Sequence, residues 1–215
     1  TWKLWPQVVT AHLMGGFITA SLLTLLLIKL RRMRHQVKPL SITNIKYNNL
    51  RGWASLVLIL VIAQVFLGGW MSSNYAALAC YTLPDCNGSW WPEMNFTEGF
   101  NIAQTRGPSY LGGLMHAEAR TAIHVLHRYG AIILGVFLIL MSYRLISQDD
   151  RRLRRFGFGF LAVFFVQFCL GLANIYYFLP LAVAVAHNFG GACLFVLTLS
   201  LNYVVYSKRG RPNEF

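Results

Sequence analysis

Three histidines carry the most distinctive chemistry in this sequence, because each lies in a long apolar stretch. His12 and His187 have similar surroundings: each follows an alanine and precedes two glycines at the third and fourth positions. The third, His127, is followed directly by Arg128. Imidazole is the commonest metal ligand in proteins, and ionisable residues within apolar spans are functional candidates by default. Whether the three histidines can act together depends on the elements that carry them.

Five apolar runs are long enough to form membrane-spanning helices. Of the 215 residues, 56% are hydrophobic and 12% charged, and the mean hydropathy is +0.49. This composition excludes a disordered chain and argues against an ordinary soluble domain. About 20 apolar residues cross the hydrocarbon core as a helix, and these runs lack the alternation of a β-barrel. We therefore predict an all-α polytopic transmembrane helix bundle with five spans: Val8–Ile28, Trp53–Met71, Thr121–Tyr143, Phe156–Leu179 and Leu181–Tyr206.

The net charge of +12 indicates topology rather than an acidic partner. Of the 19 basic residues, 15 lie between spans one and two, between spans three and four, or after span five. Basic loops remain in the cytoplasm, so the C-terminus is predicted inside and the loop 72–120 outside. No basic patch is left that requires nucleic acid. Short loops favour the bacterial inner membrane over the mitochondrial inner membrane, with lipid as the surrounding partner.

The outer loop contains Cys80 and Cys86, separated by six positions, with Pro84 between them. An oxidising exterior permits a disulfide, which we expect, although two unlinked thiols are the alternative. Two further cysteines, Cys169 and Cys193, fall within predicted spans. We expect both to be buried small apolar residues.

An internal repeat suggests duplication. The first and fifth spans share the histidine–glycine pattern, and the second and fourth share Gln-x-x-Leu-Gly, at 64–68 and 167–171. On this basis residues 52–215 form one complete four-helix unit. Residues 1–51 then hold the last helix of a preceding, pseudosymmetric unit and a cytoplasmic loop. We therefore expect the chain to be the C-terminal part of a tandem protein with eight helices.

The three histidines are predicted to lie at one depth, since each is six or seven residues from the outer end of its span. At about 1.5 Å per residue this is about 9–10 Å. His127 and His187 can therefore face each other across the complete unit, an arrangement that suits six-coordinate heme iron. No Cys-x-x-Cys-His motif occurs, so the heme would be non-covalent, and Arg128 is a candidate contact for its propionates. His12 lacks a partner helix in this chain. Small residues that would leave room for a flat macrocycle follow the two histidines: Gly130, Gly190 and Gly191.

Other interpretations of these histidines remain. A single intramembrane histidine often serves as a hydrogen-bond partner between helices, whereas zinc or copper would need further ligands that are not evident at this depth. His124 shares a helix face with His127, where it would contact a cofactor edge or pack against a neighbouring residue. His116, His35 and Glu118 are expected to be solvated.

The residues also resemble a known family. The stretches 64–80, 86–92, 127–131 and 180–191, together with 5–16, are similar to the heme A synthase family. The resemblance implies eight transmembrane helices in two pseudosymmetric halves and oxidation of the C8 methyl of heme O to the formyl of heme A. It also implies heme b between His127 and His187, His12 as an axial ligand of the substrate heme O, and a disulfide between Cys80 and Cys86.

One departure from the family concerns catalysis. In the family's first half a glutamate precedes the His-Arg pair by three residues, but His124 holds that position here. The catalytic carboxylate is therefore expected outside this chain, and no catalytic residue is assigned within it. The resemblance implies a membrane oxidoreductase of heme A biosynthesis, with heme O synthase, terminal oxidase assembly factors and further copies of the chain as partners. The alternatives are a di-histidine b-type cytochrome that only relays electrons, and a transporter or structural protein without a cofactor.

Overall fold

A computed structural model describes residues 5–34, 46–103 and 113–207. These residues form six helices, and five of the six are long and apolar enough to cross a membrane, which confirms the predicted all-α class and the number of spans. The short α3 belongs to the loop between α2 and α4. The helices are α1 (Pro6–Arg34), α2 (Lys46–Ser73), α3 (Phe96–Gly99), α4 (Ala117–Ile146), α5 (Arg151–Tyr176) and α6 (Leu181–Tyr206).

Four of the long helices form a ring. Helix α2 packs against α4 and α6, and α5 packs against the same two helices. Helices α4 and α6 therefore occupy opposite corners of the bundle, as do α2 and α5. Helix α1 lies outside the ring, against α2 and α6.

The structure corrects the boundaries of the fourth predicted span. Helix α5 begins at Arg151, five residues before the predicted start, because the Asp150 side chain caps it by accepting hydrogen bonds from two backbone N–H groups of the first turn. It ends at Tyr176, so the prediction that the span reaches Leu179 is wrong. Phe178 and Leu179 have φ values of 56° and 63°, which a right-handed helix does not allow. Hydropathy does not detect this turn because all its residues are apolar or aromatic.

The two ends of the bundle differ in charge. One end, here called the basic end, carries described basic residues at the end of α1, the end of α4 and the start of α5. The other end, here called the loop end, carries the described residues between α2 and α4. Several residues of the charge pattern, and one histidine, lie outside the described part of the chain: His35, Lys38, Lys208, Arg209 and Arg211.

Packing is also uneven along the bundle. Buried apolar side chains fill the half near the basic end, among them Val57, Leu138, Phe160 and Leu201. In the loop-end half, neither α5 after Phe160 nor α6 before Leu194 contains a buried residue. Cys169 lies in this half and is exposed, so the prediction that it is buried is wrong. An apolar residue in a span can face lipid as well as the core, and composition alone does not separate the two.

Candidate functional site

His127 lies on α4 in a tight contact with α2. A Cβ placed on Gly68 would be 3.2 Å from Cε1 of His127, so the glycine allows the imidazole to approach the helix. One turn earlier on α2, Nε2 of Gln64 donates to the carbonyl of His127 at 3.0 Å and lies 3.1 Å from its Nδ1. Gly130 makes room for this glutamine, because a Cβ there would collide with Gln64 Oε1. The imidazole is thus held between a glycine and a glutamine of the neighbouring helix.

His187 also lies beside a glycine and a glutamine of a neighbouring helix, on the other side of the bundle. A Cβ on Gly171 of α5 would be 3.5 Å from Cε1 of His187. Gln167, one turn earlier on α5, occupies the space at Gly190, where a Cβ would collide with its Oε1. The repeat noted in the sequence therefore corresponds to a repeated three-dimensional arrangement, here called the glutamine–glycine frame: Gln64, Gly68, His127 and Gly130 in one copy, Gln167, Gly171, His187 and Gly190 in the other.

The two frames lie at one level of the bundle. Gly68 is five residues before the end of α2 at Ser73, and Gly171 is five residues before the end of α5 at Tyr176. Both contacts are therefore about 7–8 Å from the loop end of their helices. Since α4 and α6 occupy opposite corners, the two histidines lie on opposite sides of the bundle, His127 against α2 and His187 against α5.

The residues at this level fit a heme held by two histidines. Nδ1 of His187 and Oε1 of Gln167 are buried without a hydrogen-bond partner within the described ranges. Buried polar atoms are nearly always hydrogen-bonded. Two unpaired atoms in one frame therefore indicate that a ligand, or another rotamer of one of these two side chains, completes the hydrogen bonding. The surrounding half of α5 and α6 contains no buried side chain, and bundle interiors are common cofactor sites. The structure modifies one expectation: the space at Gly130 and Gly190 is taken by the glutamines rather than left for a macrocycle.

His12 is placed differently. Helix α1 packs on α2 through Thr10, whose hydroxyl lies 3.1 Å from that of Ser73, and through Leu13, which contacts Gly69. His12 itself is exposed. A Cβ on Gly15, three residues further on, would meet no described atom within 4 Å. The structure therefore does not bring His12 together with the other two histidines.

Arg128 reaches from α4 into the outer loop. Nη1 donates to the carbonyls of Thr82 and Asp85 at 3.0 and 2.7 Å, and Nη2 donates to the carbonyl of Cys80 at 2.6 Å. Nε donates to Nε2 of His124 at 2.9 Å. A guanidinium has five N–H groups, so one on Nη2 is left for the propionate that the sequence suggested. In the described structure Arg128 clamps the loop that the cysteines close.

The predicted disulfide is present: Cys80 and Cys86 are bonded, with Cα atoms 4.7 Å apart. His124 supports the same loop, since it is buried and its Nδ1 lies 2.9 Å from the carbonyl of Ala76. Because Arg128 can only donate, Nε2 of His124 must accept, and a neutral ring then carries its proton on Nδ1 and donates it to Ala76. Of the two roles considered for His124, the structure shows packing against neighbouring residues.

The remaining candidates lie at the surface of the loop end. His116 is exposed, as expected, and its Nδ1 lies 2.9 Å from Oε2 of Glu98. Glu118 is exposed as well. Within the described ranges, no group of three or more His, Cys, Asp or Glu side chains is close enough together to hold a metal ion.

Sequence reasoning missed two residues that the structure places in the site, Gln64 and Gln167. Their signal is the repeated Gln-x-x-Leu-Gly pattern, which in the sequence alone indicates only duplication. A glutamine beside each histidine becomes evident once the helices are paired.

Comparison with known proteins defines the class. Residues 1–199 match the model of the COX15-CtaA family, described as cytochrome oxidase assembly proteins. The chain is 41% identical over 209 residues to the heme A synthase of Shewanella oneidensis, a match that covers 97% of this chain and 61% of that protein. It is 26% identical over 192 residues to the heme A synthase of Erythrobacter litoralis, covering 88% of this chain and 50% of that protein.

The chain therefore belongs to the COX15-CtaA family of cytochrome oxidase assembly proteins. It spans between half and two thirds of the length of these two relatives. The five apolar helices and this membership make it a multi-pass membrane protein.

Proposed function

We propose that this chain forms the heme b-binding part of a heme A synthase. The complete enzyme oxidises the C8 methyl of heme O to a formyl group, and the resulting heme A supplies terminal oxidases. His127 and His187 are the axial ligands of heme b, and His12 is an axial ligand of the substrate heme O. The bacterial inner membrane, with the C-terminus in the cytoplasm, is the proposed location.

The observation that carries this proposal is the pair of matched glutamine–glycine frames. They present His127 and His187 from opposite corners of one four-helix unit, at one level, where the loop-end halves of α5 and α6 contain no buried side chain. Family membership makes heme the relevant ligand for two such imidazoles.

The chemistry of the proposed site follows from its ligands. A bis-histidine heme is coordinatively closed, so when bound it supplies electron transfer rather than oxygen binding. The residues of this chain would bind and orient it: His127 and His187 would ligate the iron, and the apolar side chains of α5 and α6 would keep water away from the site. Arg128 holds the loop over the outer end of the bundle and retains one N–H group for a propionate. The catalytic carboxylate is proposed to lie elsewhere in the enzyme.

The direct test is conversion of heme O. The complete gene product is co-expressed with a heme O synthase in a host that lacks heme A, and the extracted hemes are separated by chromatography. Heme A is expected in cells with the active protein. Recovery of heme O alone, from membranes that contain the folded protein, would refute the enzymatic proposal.

A second function is supported by one observation. Between Glu118 and Asp149 the described chain contains no carboxylate, so α4 offers no carboxylate beside His127. A b-type cytochrome that relays electrons without converting a substrate would need none. It predicts a redox-active heme spectrum in the chain and no heme A in the extraction experiment. The proposed partners of the enzyme are heme O synthase, oxidase assembly factors and a second copy of the chain. A cytochrome that only relays electrons would not require them.

A further inference from the structure

We infer that Gln64 and Gln167 are positioning residues, which set the orientation of the two imidazoles that the proposed function makes heme ligands. The inference rests on that proposed function. It concerns what holds the rings rather than what they bind.

Gln64 acts on the first ring through two contacts. Its Nε2 donates to the backbone carbonyl of His127 at 3.0 Å and lies 3.1 Å from the ring Nδ1. The carbonyl bond ties the side chain of α2 to the backbone of α4. The same amide nitrogen lies 3.4 Å from the ring Nε2 as well, so it packs along the ring edge between the two nitrogens and restrains rotation of the ring by contact. One turn further along α2, Gly68 lies against Cε1 and leaves the ring little room to turn.

Gln167 offers an acceptor to the second ring. Its Oε1 is buried and unpaired within the described ranges, and so is Nδ1 of His187. A histidine that binds a metal through one nitrogen usually donates the N–H of the other to an acceptor, which fixes the ring and raises its basicity. Gln167 brings two acceptors to this ring, its backbone carbonyl and its amide oxygen, and the amide oxygen is the one left without a partner in the described part of the chain.

The two frames therefore make separable predictions. A glutamine that merely filled space would be replaceable by leucine without effect on the ligands. A glutamine that accepts from His187 changes the electron density on the imidazole, and hence the relative stability of ferric and ferrous heme.

The test uses heme-loaded chain carrying Gln64→Leu, Gln167→Leu or Gln167→Glu, with Gln148→Leu as the control. Gln148 follows the end of α4 at the basic end, where its Nε2 donates to the carbonyl of Arg144, whereas both frames lie near the loop end. Midpoint potentials are measured by redox titration. Electron paramagnetic resonance of the ferric protein reports the relative angle of the two imidazole planes.

Both leucine variants are expected to shift the ferric g values, whereas Gln148→Leu leaves them unchanged. Gln167→Leu is expected to raise the midpoint potential, because the ring loses its acceptor. Gln167→Glu, which is nearly isosteric and retains an acceptor with more negative charge, is expected to lower it. The opposite signs cannot result from altered packing alone, and the glutamate variant provides the test if the leucine variant does not fold.

Two other outcomes distinguish failure of this inference from failure of the proposed function. If the chain binds heme through His127 and His187 but all three glutamine variants match the control in g values and potential, this inference is overturned and the proposed function stands. If the wild-type chain shows no heme bound by these histidines, both are overturned.

Discussion

Replacing Arg128 should open the outer loop while leaving the helices intact. The guanidinium donates three hydrogen bonds to loop carbonyls, those of Thr82, Asp85 and Cys80. A net contribution of about 1 kcal/mol for each bond is appropriate for a half-buried group that competes with water. Arg128→Met retains most of the apolar stem and removes all three, so the loop should lose about 3 kcal/mol of local stability.

The expected readout is amide hydrogen exchange in the disulfide loop. Since about 1.4 kcal/mol corresponds to a tenfold change in an equilibrium, a loss of about 3 kcal/mol raises the open population about 100-fold. The N–H groups of Cys86 and Ser89, which are hydrogen-bonded to each other's carbonyls, should lose protection by that factor. Amides within α2 should not change.

Arg120→Met is the matched control, because Arg120 lies two turns earlier on α4 at the loop end. It removes one positive charge from the same end of the same helix. If Arg128→Met and Arg120→Met gave the same exchange rates for Cys86 and Ser89, the loop clamp would be refuted. Arg128→Lys should fall between them, since an ammonium group keeps the charge but not the planar fork.

Two further predictions concern the stability of α5. Asp150→Ala should cost about 1 kcal/mol at neutral pH through loss of the N-terminal cap, measured by thermal unfolding in detergent. Burial raises the pKa of Asp150, but hydrogen bonds from Arg152 outweigh this and the net pKa is lowered. The cap should therefore be fully effective above the ordinary aspartate pKa of about 3.9 and be lost as the pH falls through the lower pKa of the folded state. The stability difference between Asp150→Ala and the wild type should vanish over that fall in pH. A difference that does not depend on pH would contradict the assignment of the cap. Gly157→Ala should destabilise the protein by about 1–3 kcal/mol, because its Cβ would lie 2.7 Å from a side-chain carbon of α4 and 2.9 Å from a backbone carbonyl oxygen. The control Gly159→Ala should be neutral or slightly stabilising, since the nearest neighbour of its Cβ would be a methyl group at 3.5 Å. Equal unfolding temperatures for the two variants would contradict the packing of α4 on α5.

Much of the architecture could be predicted because membrane spans are long and uniform. The apolar run 181–206 coincides with α6 to the residue. The ends that were missed are those where the helix continues through charged residues, as at Arg151, or stops among apolar ones, as at Tyr176. Capping and backbone conformation determine these ends, and hydropathy reports neither.

The candidate site could be predicted only in part, because its members come from different helices. His127 and His187 were visible through repeated motifs, but their glutamine neighbours depend on which helices pair. Arg128 was expected to point toward a cofactor, and the structure shows it bound to three loop carbonyls. Those acceptors are backbone atoms, so no residue type in the loop indicates them.

The central claim, that His127 and His187 hold one heme, is tested most directly by reduced-minus-oxidised absorption spectra of the purified, heme-loaded chain. The wild type should give the sharp spectrum of a low-spin b-type heme. His127→Ala and His187→Ala should each abolish it or convert it to a high-spin form, whereas the exposed His116→Ala should leave it unchanged. A wild-type chain without heme absorbance, or either alanine variant with the wild-type spectrum, would contradict the claim.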